Sequence, residues 1–293
     1  MSLLPSVTSD ELAFLHAKTI IVTGGASGIG KATVAIAHRA GANVVIADMN
    51  KEAGEQFAAE LNGRAIFVLT DVSKWNSVIA LFETTYAQFK HIDAVYANAG
   101  IHGFETLLEN ELDAAGRLKE PSMKSIEINL HGVLYTAKAA IHFFEKNPEQ
   151  KHQLVITGSA ASLIDTPPLF NYCAAKAGVL GLMRGLRSVL PEKNISINMI
   201  APWMTMSPMM PQWVVDLWSQ PTALPANDTD GVARALLIPV VRPELNGRTI
   251  WVAGNDAVEL EEPLYKSQHL WMGSDLSMAV NEGQLRMGIK SEF

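Results

Sequence analysis

The chain of 293 residues has one cysteine, Cys173, so it can form no internal disulfide and suits a reducing, cytoplasmic setting. Charged residues make up only 18%, and their balance is acidic, at −7. No basic cluster offsets that balance, which argues against a nucleic-acid surface, because phosphate contacts require one. No stretch reaches about eighteen consecutive apolar residues, so no transmembrane segment is expected. The N-terminus lacks the basic and apolar pattern of a cleavable leader. The histidines, among them His91, His102, His131, His142 and His152, do not fall at ligand spacings, so no metal is expected.

What is present is apolar. A hydrophobic fraction of 48% beside so little charge calls for burial beyond a monomer's own core, in an oligomer interface or an apolar pocket. From Lys18 onward, short apolar runs alternate with stretches of helical length. Strands are predicted at 19–23, 43–47, 65–69, 92–97, 153–158, 195–200 and 248–253, and helices at 28–40, 51–61, 74–90, 123–146 and 171–190. That alternation predicts an α/β fold: a single Rossmann-like domain with a doubly wound parallel sheet of seven strands flanked by helices. Residues 1–17 and 255–293 read as extensions, and the second is expected to cover the pocket or a neighbouring subunit.

In such a sheet, ligands bind beyond the carboxyl ends of the strands, so the residues after each apolar run are the candidates. Residues 19–48 read as strand, glycine-rich turn, helix and strand. Gly24, Gly28 and Gly30 can let backbone approach a pyrophosphate at the helix start, flanked by Ser27 and Ile29. Asp48 ends the second strand, where its carboxylate can accept bonds from an adenosine ribose and would repel a 2′-phosphate. NAD is therefore preferred to NADP, although Lys51 offers an ammonium nearby. Asp71 and Val72 follow the third strand as an adenine contact or as a helix cap. Asn98, Ala99 and Gly100 make a small-residue turn after the fourth strand that can admit a cofactor.

Tyr172 and Lys176 stand four apart on a predicted helix and so share one face. An ammonium nearby stabilises phenolate and would bring the tyrosine towards an acid/base range. Ser159 follows strand five and can orient a substrate oxygen; Asn129 can hold water or a helix carbonyl near Lys176 in a proton relay. Cys173, beside the tyrosine, reads as a small packing residue.

Taken in order, TGGASGIG at 23–30, Asp48, the DV pair at 71–72, the NAG triplet at 98–100, Asn129, Ser159 and the YCAAK stretch at 172–176 resemble the classical short-chain dehydrogenase/reductase family over roughly 18–254. The resemblance implies Tyr172 as general acid/base, Ser159 orienting the substrate oxygen, Lys176 tuning the tyrosine and holding ribose, and Asn129 supporting a water relay. It implies hydride exchange between nicotinamide and a secondary alcohol or ketone, and a homodimer or homotetramer. The family commonly has Pro-Gly after strand six; here the pair is Pro202-Trp203, which implies an altered nicotinamide side, with Thr205 and Ser207 as remaining contacts. The segment 203–225, rich in Met and Trp, reads as a lid for a bulky apolar metabolite of the kind found in secondary metabolism. Residues 101–122 add His102, Phe104, Leu107 and Leu108 as pocket candidates, with Glu109, Glu111 and Asp113 facing solvent and Asp165 as a polar contact or loop cap. The alternatives are an NADPH-dependent ketoreductase and a catalytically inactive dinucleotide-binding protein.

Overall fold

The computed structural model describes residues 2–103, 106–218 and 224–289. One sheet of nine strands runs through the chain: β1 (Ser2–Leu4), β2 (Thr19–Thr23), β3 (Asn43–Asp48), β4 (Ala65–Leu69), β5 (Ala94–Ala97), β6 (His152–Thr157), β7 (Ile195–Pro202), β8 (Thr249–Ala253) and β9 (Asp256–Glu259). Their order across the sheet is β1-β9-β8-β7-β6-β5-β2-β3-β4. Strands β2 to β8 are parallel, as expected from runs that are apolar on both faces.

The helices are α1 (Gly28–Arg39), α2 (Lys51–Leu61), α3 (Trp75–Phe89), α4 (Gly132–Phe144), α5 (Phe170–Leu186), α6 (Gln212–Trp218), α7 (Thr229–Val241), α8 (Glu261–Lys266), α9 (Gln268–Met272) and α10 (Ser274–Arg286). Alternation along β2 sends Ile20 and Val22 to one face and Ile21 to the other. The first face is covered by Val34 and Ile36 of α1 with Leu236 and Leu237 of α7. Phe82 of α3, Phe143 and Phe144 of α4, and Met183 of α5 cover the second. Because β2 lies between β3 and β5, the chain reverses its direction of travel there, and a crevice opens at the carboxyl ends of β2 and β5.

Two strands exceed the seven expected, and both come from segments read as extensions. β8 and β9 form a hairpin whose two loop residues, Gly254 and Asn255, have φ of 59° and 67°. Positive φ at both positions is what a tight turn with the right-handed twist of its strands requires, and Gly-Asn supplies it cheaply. β1 then pairs antiparallel with β9. A second departure is the helix expected over 123–146: a short turn, Lys124–Ile126, leads into a widened π turn, Glu127–His131, before α4 begins.

Beyond the hairpin, the chain is tied back to α5. Buried Glu261 accepts from Arg184 at 2.9 Å, Arg187 at 2.7 Å and the Thr249 hydroxyl at 2.8 Å. Further on, α9 leaves Leu270 and Trp271 exposed.

Candidate functional site

The turn after β2 is shaped by close approach. Gly24 has φ of +67°, and a Cβ on it would lie 3.0 Å from the Cα of Ala99. A Cβ on Gly30 would come within 2.1 Å of the Gly24 carbonyl oxygen, so the first turn of α1 presses directly on the glycine loop. Gly28, with φ of +50°, has open space where its Cβ would be. The exposed Ser27 precedes α1 and makes no side-chain capping bond, and the half-buried Ile29 follows. The helix start therefore offers unpaired amides and positive dipole in a space that a side chain would fill, which fits a pyrophosphate.

The three strand ends at the crevice are stitched together by threonines that the sequence reading passed over. Thr23 Oγ1 accepts from the amides of Asn98 at 2.9 Å and Ala99 at 3.0 Å and donates to the Tyr96 carbonyl at 3.1 Å. Asn98 returns a bond to the Thr23 carbonyl at 2.9 Å and accepts from Thr157 Oγ1 at 3.0 Å. The signal was a shared pattern, VTG at 22–24 and ITG at 156–158, each ending a strand.

Asp48 sits at the end of β3 and accepts from the amides of Ala26 at 3.0 Å and Asn50 at 2.9 Å, which fixes its carboxylate against the glycine loop. Lys51, the nearby ammonium, pairs with Glu55 at 3.8 Å. Asp71 accepts from the Ser73 amide at 2.9 Å and its hydroxyl at 2.7 Å, the local cap that was one of its two readings. Val72 is buried beneath Gly132, whose Cβ would meet it at 2.7 Å.

Asn129 lies in the π turn and is fully buried. Its side chain accepts from the Ile101 amide at 2.9 Å and donates to the Ile101 carbonyl at 2.8 Å and to Ser125 Oγ at 3.1 Å. Both amide hydrogens are thereby committed, one to the loop beyond Gly100 and one to Ser125. A mid-helix asparagine competes with helical bonding, and here the helix widens around it.

Ser159 opens a short 3₁₀ turn, Ala160–Ser162, accepting from the Ala161 amide at 3.2 Å. It is also hydrogen-bonded to the Tyr172 phenol. Tyr172 falls in the first turn of α5, and Lys176, one turn on, places Nζ 5.6 Å from the centre of the tyrosine ring. That ammonium is buried and donates to the Thr157 carbonyl at 2.7 Å. A Cβ on Gly100 would lie 2.8 Å from Asn129 Oδ1 and 3.7 Å from Lys176 Nζ, so the NAG turn, Asn129 and Lys176 share one enclosure.

The electrostatics differ from the expectation of a tyrosine lowered by its lysine. Burial raises the Tyr172 phenol above its ordinary range, with the Ser159 bond pulling the other way. Burial also lowers Lys176, to about 8. The sign of the consequence follows from linkage: from about pH 8 to the ordinary lysine value of 10.5, the unfolded chain keeps a proton that the folded chain has lost. Stability from this group therefore rises with pH across that window and is lowest below it. Lys176→Met should stabilise the protein on the order of 2 kcal/mol at pH 7, after allowance for the bond lost at Thr157. Denaturant titrations at pH 7 and pH 10 should show that advantage shrinking; a constant difference would contradict it.

After β7, buried Pro202 gives way to Trp203, whose ring meets Trp218 of α6 edge-on at 5.7 Å. Thr205 is buried and donates to the Trp203 carbonyl at 2.9 Å, so its hydroxyl serves the local turn; Ser207 is half-buried. Leu107 and Leu108, expected in the pocket, are exposed at 53% and 73%. Phe104 and residues 219–223 of the expected lid lie outside the described residues. Among the described residues there is no cluster of three or more metal-ligating side chains, and no helix is long and apolar enough to cross a membrane.

Residues 18–217 match the family model described as short chain dehydrogenase. The chain belongs to the short-chain dehydrogenase/reductase family. It is thus an oxidoreductase with an NAD(P)-binding Rossmann fold. Among curated short-chain dehydrogenase/reductases, the prx4 protein of Penicillium rubens is 32% identical, covering 92% of this chain and 84% of its own. The 5′-hydroxyaverantin dehydrogenase of Dothistroma septosporum is 33% identical, over 69% of this chain and 72% of its own. Among solved structures, a 3-ketoacyl-(acyl-carrier-protein) reductase from Brucella melitensis, complexed with NADH, is 24% identical with a TM-score of 0.70, covering 82% of this chain and 98% of its own.

Proposed function

We propose that the protein is an NAD-dependent dehydrogenase/reductase of secondary alcohols and ketones, acting on a bulky apolar metabolite. The observation that carries the reading is the Tyr172 phenol bonded to Ser159, with the Lys176 ammonium beneath it and the NAG turn alongside. Two hydroxyls converging on one point can hold a single carbonyl or carbinol oxygen, and one of them has a proton to give. Tyr172 donates to the substrate oxygen on reduction and accepts from it on oxidation, while Ser159 keeps that oxygen in place. Lys176 holds the ribose and, when charged, favours the phenolate. Asn129, by clamping Ile101, fixes the wall of the enclosure and leaves any relay to the backbone carbonyls of its π turn.

The adenosine half would rest on Gly24, Ser27, Gly28, Ile29 and Gly30, with its ribose on Asp48 and its adenine near Asp71 and Val72. Asn98, Ala99, Gly100, Pro202, Thr205 and Ser207 would flank the nicotinamide half, Thr205 through its backbone. When bound, the nicotinamide supplies or accepts the hydride. Asp48 favours NAD because its carboxylate would repel a 2′-phosphate, and Lys51, three residues on, lies in an exposed pair with Glu55 at 3.8 Å. The name of the Dothistroma relative, a dehydrogenase of 5′-hydroxyaverantin, supports a bulky secondary-metabolism substrate.

The test follows nicotinamide absorbance with NADH and NADPH over mono-, bi- and tricyclic ketones. NADH-dependent turnover, faster with the larger rings, is expected from a chain that sediments as a dimer or tetramer. Binding of NADH without any turnover would instead support the inactive reading.

A further inference from the structure

Helix α6 poses a physical problem. It has seven residues, none of them buried, and it exposes Trp213 at 69% and Leu217 at 55%. So short a helix is unstable alone, and with no fully buried side chain to anchor it, what holds its ends weighs heavily in its placement. At one end the attachment is aromatic: Trp218 meets Trp203, whose amide is bonded to the Val252 carbonyl at 2.8 Å. Leading into the other end, His102 Nε2 is 2.5 Å from the carbonyl of Met209. A carbonyl only accepts, so this nitrogen carries the proton and donates.

His102 is well based for such a task. Both backbone polar groups of its neighbour Ile101 are bonded to Asn129. The far end of the same loop is held where Asn171, next to Tyr172, donates to the Ser122 carbonyl at 2.8 Å. Two residues before His102, Gly100 borders Lys176.

We propose that His102 is a positioning residue of the substrate pocket, latching the Met209–Trp218 segment to the loop that carries Gly100 and so fixing the wall against which a bulky substrate packs. The role in substrate binding rests on the ketone reductase reading; the latch does not. Trp203, where the family commonly has glycine, forms the permanent pin, and His102, holding through one hydrogen bond, forms the one that can open.

The test compares wild type, His102→Ala and His102→Gln, the last placing an amide N–H near the position of Nε2. Hydrogen–deuterium exchange in 210–218 should quicken about tenfold in His102→Ala and return towards wild type in His102→Gln. With NADH and α-tetralone, a bicyclic ketone, KM should rise about tenfold in His102→Ala while kcat changes less than about threefold, again with recovery in His102→Gln. Equal exchange in wild type and His102→Ala, or no recovery with Gln, would overturn the latch. Faster exchange with an unchanged KM would overturn its part in the pocket. Should wild type reduce no ketone, the functional reading fails, and exchange alone still decides the latch.

Discussion

Tyr172→Phe should lower turnover about a thousandfold while NADH binds within about twofold of wild type. The substitution removes one hydroxyl and almost no surface. Ser159 keeps its bond to the Ala161 amide, and Lys176 keeps its bond to the Thr157 carbonyl, so neither partner is displaced. What disappears is the proton and the second donor to the substrate oxygen. General acid/base transfer contributes roughly 10²–10⁴-fold, and loss of a donor to the developing charge falls in the same range. The two losses overlap because one atom performs both roles, so they should not multiply. Stopped-flow turnover gives the rate, and titration of NADH fluorescence gives the binding. Undiminished turnover would remove Tyr172 from the chemistry, and loss of NADH binding would show that the hydroxyl also holds the cofactor.

The parallel part of the fold was legible because its strands are apolar on both faces and its helices are amphipathic; no such pattern marks β1 or β9. Asp256–Glu259 reads polar, apolar, apolar, polar, with no alternation to mark a strand, and Ser2–Leu4 is a strand solely through pairing with it. The Gly254-Asn255 turn was the readable clue. At the site, the residues legible as candidates were those whose chemistry is intrinsic to the side chain: Tyr172, Lys176, Ser159 and Asp48. Residues that act by holding others were missed. Thr23, Thr157 and Asn171 are ordinary in sequence, and only the convergence of strand ends and loops gives their hydrogen bonds a purpose. Asn129 shows the intermediate case: its helix-averse side chain announced a special role, but its commitment to Ile101 depends on a π turn with no local signature.

Trp203 illustrates how a departure from a family pattern can be constructive. A glycine there would leave α6 without its ring partner, and α6 has no fully buried side chain of its own. The aromatic side chain replaces backbone freedom with an anchor, consistent with a pocket whose outer wall must be held in place to meet a large substrate.

If Asp48 receives the adenosine ribose as proposed, wild type should use NADH over NADPH by about 100-fold in kcat/KM. Two unit charges about 5 Å apart repel by roughly 3 kcal/mol at an effective dielectric near 20. A 2′-phosphate beside this half-buried carboxylate would meet that repulsion, reduced by solvent, and would lose the ribose bonds as well. Asp48→Ser should bring the ratio down to about one, through a gain for NADPH and a loss for NADH of about tenfold each. The loss has a structural part: the carboxylate now accepts from both the Ala26 and Asn50 amides, and a serine oxygen is too short to serve both. For that reason the glycine loop should also loosen, and the cofactor-free protein should melt a few degrees lower. Initial rates with each cofactor at a fixed ketone concentration measure the ratio. If wild type preferred NADPH, or if the ratio survived the serine, the discrimination would have to come from elsewhere, with Lys51 released from Glu55 the first group to test.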